Sequence, residues 1–437
     1  MLKRYFRYTM PSMLAMTGFS LYILADTFFI SLAEGAKGIT VLNLCLPYYD
    51  IIYAVGMLIG IGSATRFSIE SAQGLPQSEE YFTRSLRWLL FASLPLMIIG
   101  AFFPAQALAL MGADAQICAL GTPYARIFLL FSPAFMVNFQ LNAFVRNDAD
   151  PSLAMKANLT GSFLNILLDP LFMFTFKLGM AGAALATSLS PLISLLICLT
   201  HLKKPSNHIR LIRCRRLPIK KQVHQLLHCA KLGVPSAVLQ ISEGVVTTEF
   251  NFLTLRLAGN MGIAAFGIIS NYSIIVLSML AGIADGAQPL ISRSFGEGNR
   301  KEQRRWLKLG IFSGAVLALA VIALTLLIPG PLAALFNSEG LPELARLAET
   351  GLVLYFAGSG FAAFNIVLSA YFSASDQPRY AGIISTLRGF AAIVPMALLC
   401  ARLWGINGVW LSFGAAEAIT SLAGLGCLAA ECRRQRA

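Results

Sequence analysis

The sequence is poor in charge. Of its 437 residues only 13% are Asp, Glu, Lys or Arg, against 57% hydrophobic, and the mean hydropathy is +0.69. A soluble domain of this length carries about twice that charge, so a water-soluble globular class is excluded. Histidine is scarce as well: His201, His208, His224 and His228 all fall in or beside one basic stretch. No HExxH or GxSG run occurs, which leaves an intramembrane hydrolase without reacting groups, and no enzyme is expected. The cysteines show no metal-ligand spacing; Cys45, Cys118, Cys198 and Cys400 lie inside or beside apolar runs and read as small packing residues. Neither a zinc site nor a disulfide framework is indicated. Alternating strands of about ten residues are missing too, and the apolar runs reach about 20 residues. The expected class is therefore an all-α polytopic membrane protein.

Twelve spans can be placed. They run roughly over 8–32, 41–69, 86–111, 123–145, 153–176 and 181–202, then over 226–257, 263–292, 306–328, 351–373, 380–401 and 406–430. The first is too long for a signal-peptide core, no cleavage site follows it, and it is read as retained. Cations crowd alternate loops: Arg84 and Arg87, Arg146 and Lys156, Lys203 to Lys221, Arg300 to Lys308, Arg379, and Arg433 to Arg436. The opposite loops hold Glu34, Asp114, Glu339, Glu343 and Glu349. The positive-inside rule then puts both termini in the cytoplasm, in a cytoplasmic (inner) membrane. Orientation and contact with membrane lipid account for the net charge of +13, and nucleic acid is not an expected partner.

The chain repeats itself. Pro11-Ser12 and Pro235-Ser236 open matching runs, and at that offset Gly38, Gly62 and Gly74 fall on Gly262, Gly286 and Gly298. Later, Asp150-Pro151 matches Gln377-Pro378, Asn138 matches Asn365, and Gly179 to Gly182 matches Gly405 to Gly408. Six spans per half keep one orientation, so the halves form a parallel repeat about an axis along the membrane normal. The expected division is a first six-helix lobe over 1–202, a basic cytoplasmic linker over 203–225 and a second six-helix lobe over 226–437. Because the repeat is internal, a monomer suffices for function.

Polar groups inside the spans mark the candidate site, because an ionisable residue in lipid usually faces a cavity or an ion path. Asp169 lies deep in the fifth span, with Asn165 one helical turn before it on the same face. Pro170 leaves the carbonyl of Ile166 without its donor and allows a kink. At 1.5 Å per residue, Asp26 in the first span and Thr187 in the sixth reach the same outer level. Two carboxylates, an amide and a hydroxyl suit a proton or, as metal ligands, a bare Na⁺. Asn138, Glu243, Asp285 and Gln288 are candidates for substrate contact, Glu243 as a cavity carboxylate for a cation. Met57, Met136, Met173 and Met279 can line an adaptable apolar pocket. Asp50, Glu249, Arg388 and Glu417 are further intramembrane ionisable groups.

Several stretches resemble the multidrug and toxic compound extrusion (MATE) family. These are Asp26-Thr27; Asn142 to Pro151, whose family glycine is replaced; Asn165-Ile-Leu-Leu-Asp169-Pro170-Leu-Phe; Gly282 to Asn299, with Gly286-Ala-Gln288-Pro289; and Gly405-Ile-Asn-Gly408-Val-Trp410. The resemblance covers both halves. It implies a twelve-helix, two-lobe antiporter exporting bulky, often cationic amphiphiles against H⁺ or Na⁺, with no other cofactor. Some members carry a cation site on the seventh and tenth spans. Here the tenth offers Asn365 and no carboxylate, whereas Asp26, Asn165, Asp169 and Thr187 resemble the branch of the DNA-damage-inducible and staphylococcal multidrug exporters. Coupling is expected there. The alternative within the same superfamily, a flippase for lipid-linked precursors, is disfavoured because mid-membrane acids outnumber bases.

Overall fold

A lipid-embedded backbone has no water to bond, so each span must close its hydrogen bonds within itself, and a helix does so. The computed structural model describes residues 1–205, 207–212, 218–337 and 340–434, and among these every regular element is helical. Arg213, Arg215, Arg216, Glu339 and Arg436, assigned above to loops, lie outside the described residues. The first six spans are α1 (Leu2–Gly35), α2 (Lys37–Ala72), α3 (Pro76–Phe102), α4 (Ala115–Leu130 with Ser132–Asn147), α5 (Pro151–Thr175) and α6 (Gly179–Lys203). The next six are α7 (219–257), α8 (260–296), α9 (Arg300–Leu327), α10 (Pro342–Phe356 with Ser359–Ala374), α11 (378–404) and α12 (406–434). Among the described residues twelve helical spans are present, as expected.

Three spans depart most from the expected bounds. The third runs 76–102 rather than 86–111, Pro104 opening a separate short helix to Leu110. The fourth span runs 115–147 rather than 123–145 and bends by 43° at Phe131; the tenth runs 342–374 rather than 351–373 and bends by 45°. Proline at the start of Ser132–Asn147 removes a ladder donor at the first bend. At the second, Gly358 packs on Gly414, where an added Cβ would stand 2.4 Å from the Cα.

The internal repeat is visible in the backbone. Left-handed residues recur at matched turns: Gly35 (φ 59°) with Gly259 (58°), Gly74 (70°) with Gly298 (69°), Ala149 (64°) with Asp376 (55°), and Gly179 (51°) with Gly405 (58°). Such φ values cost a residue with a Cβ about 1 kcal/mol or more, and six of these eight are glycine. Each lobe has its own apolar core. Tyr53, Tyr124, Phe128 and Phe135 centre the first, and Phe250, Phe266, Phe356 and Trp410 the second.

The lobes meet along α1–α8 and α2–α7. A Cβ on Gly62 would stand 2.2 Å from the Cys229 carbonyl oxygen, and one on Gly286 would stand 2.5 Å from the Cα of Thr9. These glycines are repeat equivalents, so the seam is itself pseudo-symmetric. Arg66 grips Asp376 with two hydrogen bonds, 2.6 and 3.1 Å, and Arg146 pairs with Asp285 at 3.1 Å. Ser292 donates to Ser68 at 2.8 Å, and Gln288 donates to Thr65. Moving away from the termini, the last such contacts are Ser20 with Ser278 and Gln240 with Asp50 at 3.0 Å. Asp50 lies about 22 Å along α2 from the Gly35 turn, at 1.5 Å per residue. Among the described residues, the side-chain bonds between lobes thus fill the half that carries the termini and stop near mid-span.

Candidate ion and substrate site

Asp26, Asn165, Asp169 and Thr187 come together in the first lobe. All four are buried, Asn165 and Asp169 completely. Asp26 stands close enough to interact with both Thr187 and Asp169, and the interactions of the four remain within the group. Asp26 Oδ1, both oxygens of Asp169, both amide atoms of Asn165 and Thr187 Oγ1 are buried without a hydrogen-bond partner outside it. A buried polar atom without a partner is costly, and a carboxylate more so. Proline 170 explains part of the geometry: just past Asp169 the helix widens into a π-turn over Leu171–Thr175. Such turns are frequent at functional sites. An all-oxygen set with unmet acceptors fits a proton or Na⁺. Among the described residues no group of three or more His, Cys, Asp or Glu is placed to hold a metal ion; this site has two carboxylates.

One turn below Asp26 on α1 lies Tyr22, at the edge of a cavity of about 40 Å³ lined by Phe19, Tyr22, Tyr53, Asn138, Phe139 and Ser194. Tyr49 and Tyr53 stack at 3.9 Å, and the hydroxyls of Tyr22 and Tyr53 are 3.5 Å apart. The structure therefore brings Asn138 near the ion site. Glu243 is exposed on α7 and within electrostatic reach of Asp50 and Tyr49. Asp285 and Gln288 are placed elsewhere: their bonds to Arg146 and Thr65 put them in the closed seam. Met136 and Met173 are buried in the first core, packing rather than lining the cleft.

The second lobe holds a constellation that the sequence reading left scattered. Arg388 Nε donates to Glu417 at 2.8 and 3.1 Å, and Asn365 Nδ2 donates to the same carboxylate at 2.7 Å. Ser421 donates to Asn365 Oδ1 at 3.1 Å. Arg388 lies in a second π-turn, Leu387–Ala391. Asn365 is the repeat partner of Asn138, so this pair fills the region where the first lobe has its cavity. The only signal in the sequence was an arginine and a glutamate at mid-span on neighbouring helices.

The MatE family profile matches residues 11–171 and 235–398, one copy per lobe. The chain belongs to the MatE family. The multidrug export protein MepA of Staphylococcus aureus (strain NCTC 8325 / PS 47) is 27% identical over 427 residues, 97% of this chain and 92% of that one. Its counterpart in Staphylococcus haemolyticus (strain JCSC1435) is 24% identical over 418 residues, 95% and 91%. Among solved structures, a multidrug resistance MATE family transporter of the MOP superfamily in an outward-facing conformation superposes with a TM-score of 0.88 at 24% identity. It covers 97% of this chain and 94% of that chain. A MATE crystal structure in a bent conformation gives 0.87 at 23%, covering 99% and 96%. The two-lobe, twelve-helix family fold is thus shared over nearly the whole chain.

Proposed function

We propose that this protein is a secondary antiporter that exports amphiphilic, cationic drugs or toxic metabolites in exchange for H⁺ or Na⁺. One observation carries the reading: a buried carboxylate pair with no basic partner among the described residues, in a two-lobe fold closed at one end. Family membership and the likeness to MepA support the same cargo class. The chain is placed in a cytoplasmic (inner) membrane, with the closed, basic end and both termini in the cytoplasm. Residues 1–202 and 226–437 are the moving lobes, 203–225 joins them, and one chain suffices.

In the outward state the cleft faces away from the cytoplasm. Asp26 and Asp169 take up the ion there, with Asn165 and Thr187 as the remaining oxygen donors. Neutralising the carboxylates removes their attraction for a cation held near Tyr22, Tyr53 and Asn138. Aromatic faces hold such a cation by about 0.5–2 kcal/mol each, and Glu243 supplies charge from the second lobe. The ion-loaded carrier then turns inward, and each positive charge carried in gains about 2.3 kcal/mol per 100 mV. Asp285 and Gln288 act here as gate residues, bonded only while the cytoplasmic end is shut. A lipid-linked anionic cargo is disfavoured because Arg388 is already engaged by Glu417. Dye efflux from vesicles with separately imposed H⁺ and Na⁺ gradients tests the proposal. One gradient should drive ethidium efflux, and efflux indifferent to both would reject antiport.

A further inference from the structure

At the closed end the first turn of α1 meets the start of α9. Tyr5 stacks on the buried Trp306 at 6.4 Å, and the Arg4 guanidinium lies 5.8 Å from the Trp306 ring centroid. Beside them opens a cavity of about 520 Å³ lined by Met1, Arg4, Asn299, Lys301, Glu302, Arg305 and Trp306. Three of those seven carry cationic side chains, contributed by both lobes. The one carboxylate is engaged: Glu302 accepts from Arg4 at 3.3 Å and from Asn299 at 3.0 Å. Lys301 and Arg305 form no ion pair among the described residues. They are four apart on α9, so two like charges share a helix face, which is unfavourable without a counter-charge. The α9 N-terminus adds backbone N–H groups and the positive end of a 28-residue helix dipole. Trp306 itself is fully buried and donates to Ser294 at 3.1 Å, which fixes the floor of the cavity.

We propose that this interlobe cavity binds a phosphate group, held by Arg4, Lys301, Arg305 and the start of α9, and that an occupied site staples the cytoplasmic ends of the two lobes together. This rests on the cytoplasmic placement of that end. On the cytoplasmic side an anionic phospholipid headgroup of the inner leaflet presents such a phosphate. A soluble phosphomonoester presents the same chemistry. The phosphate spans Arg4 of the first lobe and Lys301 and Arg305 of the second, so it favours the state in which those groups are close. That is the outward-facing state.

The test uses full-length protein in phosphatidylcholine vesicles, alone, with phosphatidylglycerol, or with glycerol phosphate added. Two readouts are taken: lipid retained on the purified protein by native mass spectrometry, and maleimide labelling of Cys229, which is fully buried against Gly62. Neither readout requires transport, so dye efflux measured in parallel separates failure of this site from failure of the antiport reading. Phosphatidylglycerol should be retained and should slow Cys229 labelling. The Lys301→Gln, Arg305→Gln double variant should bind it on the order of ten- to thirty-fold less tightly, from two charges removed near the surface. A Lys220→Gln, Lys221→Gln variant loses the same charge from the linker and should behave as wild type. If glycerol phosphate reproduces the protection, the site stands and its ligand is soluble. If the Lys301, Arg305 variant responds like wild type, or both double variants lose the response equally, the cavity is no phosphate site.

Discussion

The two lobes share a backbone plan and differ in how they treat buried charge. In the first, Asp26 and Asp169 stand together, with no basic side chain paired to either among the described residues. In the second, Glu417 is enclosed by Arg388 and Asn365 at hydrogen-bond distance. A neutralised acid has no need of a visiting cation, whereas an unneutralised pair has every need of one. The same repeat has therefore yielded one lobe with a bare buried carboxylate pair and one that holds its charge internally. The π-turns follow the split: one lies just beyond Asp169, the other carries Arg388.

The sharpest way to break that contrast is to neutralise each lobe in turn. Asp169→Asn should reduce gradient-driven dye efflux to background while the protein still purifies folded. Full efflux in that variant would remove coupling from the first lobe. The second lobe should answer differently. Arg388→Met strands Glu417 in a site where the two side chains are 8% and 4% exposed. Breaking a buried pair from one side costs about 3–5 kcal/mol, which should appear as a large fall in the thermal midpoint in detergent. An Arg388→Met, Glu417→Leu double variant should recover most of it and retain ion-driven efflux. Were the double variant as stable as wild type yet uncoupled, the second lobe would be an ion site as well.

Much of this was legible in the residues alone. The spans follow from run length, and the first-lobe cluster from Asn165 and Asp169 lying on one face, Pro170 loosening the helix beside them, with Asp26 and Thr187 at matching depth. Matched glycines foretold the repeat, because a left-handed turn or a close helix crossing admits little else. Other features stayed hidden for a physical reason: they are pairings between distant segments. Arg66 and Asp376 are 310 residues apart, and Arg388 and Glu417 lie on different helices. Depth can be counted along a span, but the direction a side chain takes around it depends on packing. Asp285 and Gln288 were accordingly expected at the substrate and lie in the seam. The bends in α4 and α10 escaped because an apolar stretch reads the same whether straight or bent.

A middle-sized effect tests whether both lobes contribute equally to closing the basic end. Gly62→Val puts a side chain where the Cys229 carbonyl stands, and Gly286→Val does the same at Thr9. Each should hold that end open and raise Cys229 labelling roughly tenfold, a shift of about 1.4 kcal/mol in a two-state equilibrium. Arg66→Gln, losing the Asp376 pair, should raise it less. If Gly62→Val labels freely while Gly286→Val does not, the seam is not symmetric and the first lobe alone sets the gate.

The smallest effect separates the lobes at their basic turns. Asp150 opens α5 and accepts from Leu153 at 3.3 Å, from His201 at 3.2 Å and from Lys204; its repeat partner, Gln377, donates instead to Glu431 at 2.9 Å. Partial burial opposes the Asp150 charge, but the bonds from Lys204 and His201 outweigh it and hold the carboxyl below its usual pKa. A depressed carboxylate pKa stabilises the fold above the unfolded value, near 3.9, and that contribution is lost as pH falls through the folded one. Asp150→Gln, which copies the second lobe into the first, should therefore lower the thermal midpoint by a constant small amount between about pH 5 and 7. The gap should close only below about pH 4. A gap that instead shrinks as pH rises above about 6.5 would place the titration on His201, and this turn of the first lobe would then loosen within the range of cellular pH while its second-lobe counterpart does not.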